Sequence, residues 1–391
     1  MIYNFDKVIS RKGTHSVKWD ARKAYFGSED LLPMWVADMD FPVPVELVEA
    51  IKRRADHPLY GYTIRPDSYF KSFIRWVKDR HEWEIKKDWV LFSPGVVPAL
   101  NFIVQAFSKP GDKILIQPPV YHPFFFSVEN NHREMVFNQL KLVNGRYEMD
   151  FDDLESKLPG VKMILLSNPH NPVGRAWTQE ELMQLAELCI MHKVLIISDE
   201  IHSDLALPGF KHIPVASLGD EIAANTLTCM APSKTFNLAG LSTSSMIISD
   251  PAKRANFEEY LDRFHITGGN VFGMVASEAA YLHGKDWLDQ VLEYIQGNFD
   301  FLDNFLKENL PMLHLTPAEA TYLAWLDFSA LKMDGDGLKS FLINKAKVGL
   351  NDGRTYRDGG EGFQRMNLAC PRSILEEALQ RIEKAIKNHI V

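Results

Sequence analysis

The sequence predicts an α/β protein with a mostly parallel sheet, divided between two domains. Three observations carry this. Between about residues 90 and 250, short continuous apolar runs alternate with stretches of helical periodicity, the pattern of βαβ units. In the C-terminal third that alternation gives way to long mixed helices and one late strand-like run. At 391 residues the chain is also longer than one core ordinarily serves.

In chain order, Ser93-Pro94-Gly95-Val96-Val97-Pro98 precedes a helical pattern over Ala99–Phe107. Lys113–Gln117 reads as a strand entering the proline-rich turn before Tyr121, where Phe124, Phe125 and Phe126 are expected to be packed loop aromatics. Lys162–Ser167 is the next strand and leads into a helix over Trp177–His192, with Thr178 and Glu181 spaced as a capping box. Val194–Ser198 and Thr226–Met230 follow as buried strands, and Pro251–Phe264 as an amphipathic helix. A long helix over Trp287–Asn309 and a strand-like run over Ala320–Phe328 come next. The closing helix is Ile374–Ile390, with Ser373 and Glu376 as its cap. No repeat, low-complexity tract or disordered linker interrupts this order.

Apolar content of 46% with 24% charged residues is that of a globular chain, and a net charge of −8 argues against nucleic acid or an anionic membrane as the main partner. Three cysteines, Cys189, Cys229 and Cys370, stand far apart in no metal-ligand spacing, and the first two lie within apolar runs. With no signal-peptide pattern and no run of ~20 apolar residues, a reducing cytoplasm is the expected location.

Chemistry concentrates in Ala231-Pro232-Ser233-Lys234-Thr235-Phe236-Asn237, which sets a lysine just after a strand. Burial there disfavours the charged amine, and a partly neutral amine can condense with an aldehyde. Two further polar clusters end buried strands: Ser167-Asn168-Pro169-His170-Asn171-Pro172-Val173-Gly174-Arg175 and Ser198-Asp199-Glu200-Ile201-His202-Ser203-Asp204. In open α/β sheets ligands bind beyond the carboxyl ends of the strands, so Asn171, Asp199 and Lys234 are candidates for one pocket. Pyridoxal 5'-phosphate needs such a set: a lysine for its aldehyde, a carboxylate for its ring nitrogen and a donor for its phenolic oxygen.

With Met34-Trp35-Val36-Ala37-Asp38-Met39-Asp40-Phe41, Gly61-Tyr62-Thr63, Pro118-Pro119-Val120-Tyr121-His122-Pro123-Phe124 and Arg365-Met366-Asn367-Leu368-Ala369-Cys370-Pro371-Arg372, these blocks span nearly the whole chain. Their order resembles the aminotransferase class I/II superfamily of pyridoxal-phosphate enzymes, fold type I, and more narrowly the MalY/PatB type of cystathionine β-lyase, or C-S lyase. The resemblance implies an aspartate-aminotransferase-like fold: a large domain (residues 46–285) with a mostly parallel seven-stranded sheet flanked by helices, and a smaller α+β domain (residues 1–45 and 286–391).

It also implies roles. Lys234 holds the cofactor and then acts as base at Cα, Asp199 faces the pyridine nitrogen, and Asn171 and His202 face the phenolic oxygen. Tyr121 stacks on the ring and assists proton movements. Gly95, Val96, Val97 and Ser233 bind the phosphate, and Tyr62 reaches the phosphate of a neighbouring subunit in a homodimer. Arg365 clamps the substrate's α-carboxylate with a backbone contact from Ala37, whereas Arg372 is structural. One departure stands out: where the broader group has a serine three before the lysine and an arginine eight after it, this chain has Ala231 and Ser242.

The reaction so implied is α,β-elimination of L-cystathionine or a related cysteine S-conjugate to a thiol (homocysteine from cystathionine), pyruvate and ammonia. An aminotransferase shares every step up to the carbanion and is the first alternative. A cofactor-binding regulatory protein is the second. A nicotinamide dehydrogenase would need a Gly-x-Gly-x-x-Gly after a first strand, which the sequence lacks.

Overall fold

The computed structural model describes residues 2–266 and 268–390. Seven strands form the main sheet: β1 (Val90–Ser93), β2 (Lys113–Ile116), β3 (Glu134–Phe137), β4 (Val161–Ser167), β5 (Leu195–Asp199), β6 (Thr226–Met230) and β7 (Ser244–Ile247). They lie in the order β1-β7-β6-β5-β4-β2-β3. Only β7 runs against its neighbours, and every other pair is parallel, as the sequence led us to expect.

The central strands are apolar on both faces because both faces are covered. Leu165, Ile197 and Leu227 join one buried cluster, whereas Ile164, Leu166 and Ile196 join another on the opposite side. The helix after β4 spans Gln179–Met191 and opens with the expected capping box. Thr178 Oγ1 accepts from the Glu181 N–H at 3.2 Å, and Glu181 Oε2 accepts from the Thr178 N–H at 2.8 Å.

A second, antiparallel sheet is built from β8 (His314–Leu315), β9 (Leu323–Asp327), β10 (Asn351–Asp352) and β11 (Phe363–Asn367), in the order β8-β9-β11-β10. The N-terminal segment is stitched to it. Leu32–Pro33 pairs in parallel with Val348–Gly349, and Asn367 Nδ2 donates to the carbonyls of Val36 and Asp38, both at 2.6 Å. Those bonds carry residues 34–40 over the carboxyl edge of the main sheet, where Asn237 meets the N–H and carbonyl of Met39 at 3.0 and 2.9 Å.

Two expectations are corrected. The closing helix is Arg372–Ile390, so Ser373 lies inside its first turn; the Pro371 carbonyl already accepts from the N–H groups of Ile374 and Leu375. Phe124, Phe125 and Phe126 belong to a helix, Pro123–Glu129, with proline in its first turn, and only the first two are buried; Phe126 is 48% exposed.

Arg175, fully buried beyond the Asn-Pro loop, ties the two sheets together. Its Nε donates to Glu319 Oε2 at 2.9 Å, its Nη2 to Glu181 at 2.7 Å and its Nη1 to the Tyr147 carbonyl. Glu319 also accepts from Arg146 and from the Ala176 N–H. Removing one member of a buried pair strands the other's charge. Glu319→Ala is therefore expected to cost about 3 kcal/mol of unfolding free energy in urea titration, and Glu319→Gln distinctly less.

Candidate active site

The carboxyl ends of β1, β4, β5 and β6 surround a cavity of about 200 Å³. Lys234, Asp199, Asn171, His202, Tyr121, Ser233, Gly95, Val96, Val97 and Ala37 all line it, together with Ser242 and Thr243. Ten residues singled out in the sequence therefore meet in one place.

Lys234 stands in the single helical turn Pro232–Thr235 that directly follows β6. That turn is pinned from below, where Thr235 Oγ1 donates to Asp204 Oδ2 at 2.8 Å. Lys234 Nζ donates to the Ala37 carbonyl at 2.6 Å. Burial lowers its pKa to about 8, with the Arg365 cation adding to the effect and Asp38 and Asp199 opposing it. A substantial neutral fraction near neutrality is what a nucleophilic amine requires.

Asp199 ends β5, and burial pushes its carboxyl up to about 7. The Ile201 N–H, 3.1 Å from Oδ1, and the Lys234 cation pull the other way, while Glu200 adds to the rise. A cationic ring nitrogen facing it would restore the ionised form. His202 is buried; burial first, and then the Lys234 and Arg365 cations, hold its pKa well below the usual range, so the ring is neutral. Its Nδ1 has no partner. Burial likewise raises the Tyr121 phenol, which stays protonated.

Arg365 projects from β11 and is 4% exposed. Its Nη1 donates to Asn171 Oδ1 at 3.0 Å, and its Nη2 to Asn351 Oδ1 at 2.8 Å and to the Trp35 carbonyl at 3.1 Å. Nε is buried without a partner. Because Asn171 Oδ1 is engaged by the guanidinium, its NH2 group is the part left for the cavity.

Gly95 is the N-cap of the 12-residue helix Val96–Phe107, which has no side-chain cap. The helix's first N–H groups thus remain for an anion at the cavity wall. Of the sequence candidates, Arg365 meets the cavity only through its bond to Asn171, and Tyr62 not at all. Tyr62 is fully exposed, on a segment without helix or strand. Arg372 is structural as expected, its Nε bonded to Asn298 at 2.7 Å and its guanidinium over Phe301.

Sequence reasoning missed Tyr322, Asn351 and Asp204. Tyr322 Oη donates at 2.9 Å to the same Ala37 carbonyl that receives Lys234. Tyr322 falls inside the strand-like run Ala320–Phe328, where an aromatic reads as core, and Asn351 carries no local signal at all. Asp204 was visible as the last polar residue of its cluster, but its bond to Thr235 was not.

The donor set fits pyridoxal phosphate: a buried amine, a carboxyl opposite it, amide and imidazole groups with free polar atoms, and an uncapped helix start. Among them His202 Nδ1 is buried with no partner in the chain, which is costly unless a ligand supplies one.

Comparison with known proteins agrees. The family model for aminotransferase class I and II matches residues 29–382. Cystathionine beta-lyase PatB of Bacillus subtilis is 48% identical over 98% of this chain and 100% of its own length. A pyridoxal-phosphate-bound structure from Clostridium difficile 630, named as an aminotransferase, superimposes with a TM-score of 0.97 at 48% identity, covering 98% of this chain and 100% of that one. Cystalysin from Treponema denticola, whose crystal structure contains pyridoxal 5'-phosphate, gives a TM-score of 0.97 at 39% identity over the whole of both chains. With its blocks in order, its cavity assembled and relatives matched from end to end, the chain belongs to the class I and II aminotransferase family, in its MalY/PatB group.

Proposed function

We propose that the chain is a pyridoxal-phosphate-dependent carbon-sulfur β-lyase. It cleaves L-cystathionine or related cysteine S-conjugates by α,β-elimination, releasing a thiol, pyruvate and ammonia. The observation that carries the reading is the buried, partly neutral Lys234 amine in one cavity with Asp199 and Asn171. The full-length relatives named cystathionine beta-lyase select the lyase branch.

When bound, the cofactor supplies an aldehyde for the amine of lysine or substrate and a protonated pyridine that accepts electrons from Cα. Lys234 would hold it, and its Nζ would take the Cα proton as general base and return a proton to the departing thiolate. Asp199 keeps the ring nitrogen protonated. The Asn171 NH2 group and His202 would serve the phenolic oxygen, and Tyr121 would pack against the ring. The N–H groups of Gly95, Val96 and Val97, with the Ser233, Ser242 and Thr243 hydroxyls, hold the phosphate. Arg365 would meet the α-carboxylate through its Nε, the guanidinium nitrogen left without a partner. The Ala37 carbonyl is occupied by Lys234 and Tyr322, so a backbone contact from Ala37 to the substrate would have to come from its N–H.

In this reading residues 46–285 form the cofactor domain and 1–45 with 286–391 the smaller one. The enzyme is a homodimer in which Tyr62 of each copy reaches the phosphate of the other; the exposed Leu59, Tyr62 and Ile64 on one uncovered segment support that assignment. No described helix is long and apolar enough to cross a membrane. We place the enzyme in the cytoplasm, in keeping with three buried, unpaired cysteines. Transamination is the competing reading, favoured by the family model's own name. A regulatory role without catalysis would not need a buried Cα-proton base.

Three outcomes are expected. Purified protein should absorb near the edge of the visible range and release pyruvate from L-cystathionine with no keto acid present. Lys234→Ala should abolish both, while strict dependence on a keto-acid acceptor would reject the lyase in favour of the aminotransferase. Capture of added pyridoxal phosphate by the apoprotein should rise with pH to a midpoint of about 8. In Arg365→Gln that midpoint should move upward, because losing a neighbouring cation favours the charged amine. Tyr322→Phe should lower kcat by about 10-fold with the cofactor spectrum intact, since only the orientation of the lysine's acceptor is disturbed.

A further inference from the structure

Three groups around Lys234 are tied to one short turn, Ser203–Leu205, that follows β5. His202 is the residue that opens it, and its side chain lines the cavity. Asp204 Oδ2 accepts from Thr235 Oγ1 at 2.8 Å, one residue beyond Lys234. The Leu205 carbonyl accepts from the Thr321 N–H at 2.8 Å, one residue before Tyr322. Lys234 and Tyr322 both donate to the Ala37 carbonyl, so three residues of backbone stand behind both of that oxygen's donors.

The turn that carries Lys234 cannot place itself. Pro232–Thr235 is four residues long, and a helix that short has little stability of its own. Side chains tie this segment down at two points: Asn237 bonds the N–H and carbonyl of Met39, and Thr235 bonds Asp204. Asp204 is itself held fast. Trp76 Nε1 donates to its Oδ1 at 2.9 Å, His81 Nε2 lies 2.9 Å from the same oxygen, and Arg80 donates to its carbonyl at 3.3 Å. All three belong to the helix Asp67–His81. Burial pushes the Asp204 carboxyl up, but its bond and attraction to His81, the Arg80 cation and the Thr235 bond outweigh that and hold it below its ordinary value. It therefore stays an ionised acceptor with both oxygens engaged. Valine would fill the space of the buried Thr235, so what the hydroxyl adds is direction.

We infer that Asp204 is the positioning residue of Lys234: through Thr235 it fixes the rotation of the Pro232–Thr235 turn and so aims Nζ at the substrate's Cα. The inference rests on the reading of Lys234 as cofactor anchor and Cα-proton base, and it holds for elimination and transamination alike.

The test uses Thr235→Val, which keeps the shape and removes the bond, and Thr235→Ser, which keeps the hydroxyl. Three quantities are measured: capture of pyridoxal phosphate by the apoprotein, followed by absorbance; exchange of the Cα hydrogen of L-alanine with deuterated solvent by the holoenzyme; and unfolding in urea. Thr235→Val should slow capture and lower the kcat of exchange, each by about 10-fold, with the same final spectrum and KM within about 2-fold. The amine is then misaimed while Arg365 still holds the carboxylate. Thr235→Ser should stay within about 3-fold of the unaltered protein in both rates. Unchanged capture and exchange beside a lowered unfolding midpoint, a loss confined to KM, or a loss that Thr235→Ser shares in full would overturn the proposal. Should Thr235→Val fail to fold, Thr235→Ala takes its place, and failure of both would assign the bond to stability alone and overturn it too. L-alanine has no leaving group on Cβ. If the unaltered holoenzyme exchanges its hydrogen but releases no pyruvate from L-cystathionine, the lyase reading falls while the exchange rates still decide this one. An unaltered apoprotein that captures no pyridoxal phosphate overturns both.

Discussion

The Ala37 carbonyl accepts from Lys234 Nζ at 2.6 Å and from Tyr322 Oη at 2.9 Å. That oxygen sits where it does because Asn367 grips the peptides on either side of it, through the carbonyls of Val36 and Asp38. Lys234 hangs from β6 of one sheet, Tyr322 precedes β9 of the other, and Asn367 ends β11. The reactive amine is thus located by three parts of the chain at once. A carbonyl buried against an amine with one lone pair already taken leaves the amine a single place to rest. Its reach and its direction are consequences of that confinement, whereas its neutral fraction comes from burial and the Arg365 cation.

Charge in the cavity is arranged by opposition. Burial pushes Lys234 down to about 8 and Asp199 up to about 7, so each is driven toward its neutral form by desolvation. The two groups lie at the ends of adjacent parallel strands and moderate each other only partly. A ligand that brings a cation to Asp199 and an electrophile to Lys234 relieves both strains together. His202, kept neutral by burial and by two nearby cations, can donate without adding charge.

Much of this was legible before any coordinates. The strand Thr226–Met230 appears with the same limits in sequence and structure because a short run of apolar residues and β-branched threonines suits a buried strand. Thr178 and Glu181 announced a helix start through spacing alone. Lys234, Asp199 and Asn171 could be grouped because each follows such a run, and parallel strands present their ends on one side. The remainder depends on partners remote in sequence. Tyr322 serves Ala37 across 285 residues and Arg365 serves Asn171 across 194, and no local pattern encodes such a meeting. Ser373 misled because its spacing to Glu376 imitates a cap, although a proline carbonyl two residues earlier had already begun the helix.

Asn171 joins two recognition tasks in one amide. Its oxygen is tied to the guanidinium of Arg365, and its nitrogen is turned toward the space beside Asp199 and His202. Whatever settles on the guanidinium therefore also steadies the amide, and whatever slackens the guanidinium loosens it. Simple amines, which carry nothing anionic on Cα, would forfeit an anchor and a well-aimed donor in the same stroke. Discrimination between amino acids and amines is thus built into a shared side chain, with no separate gate required.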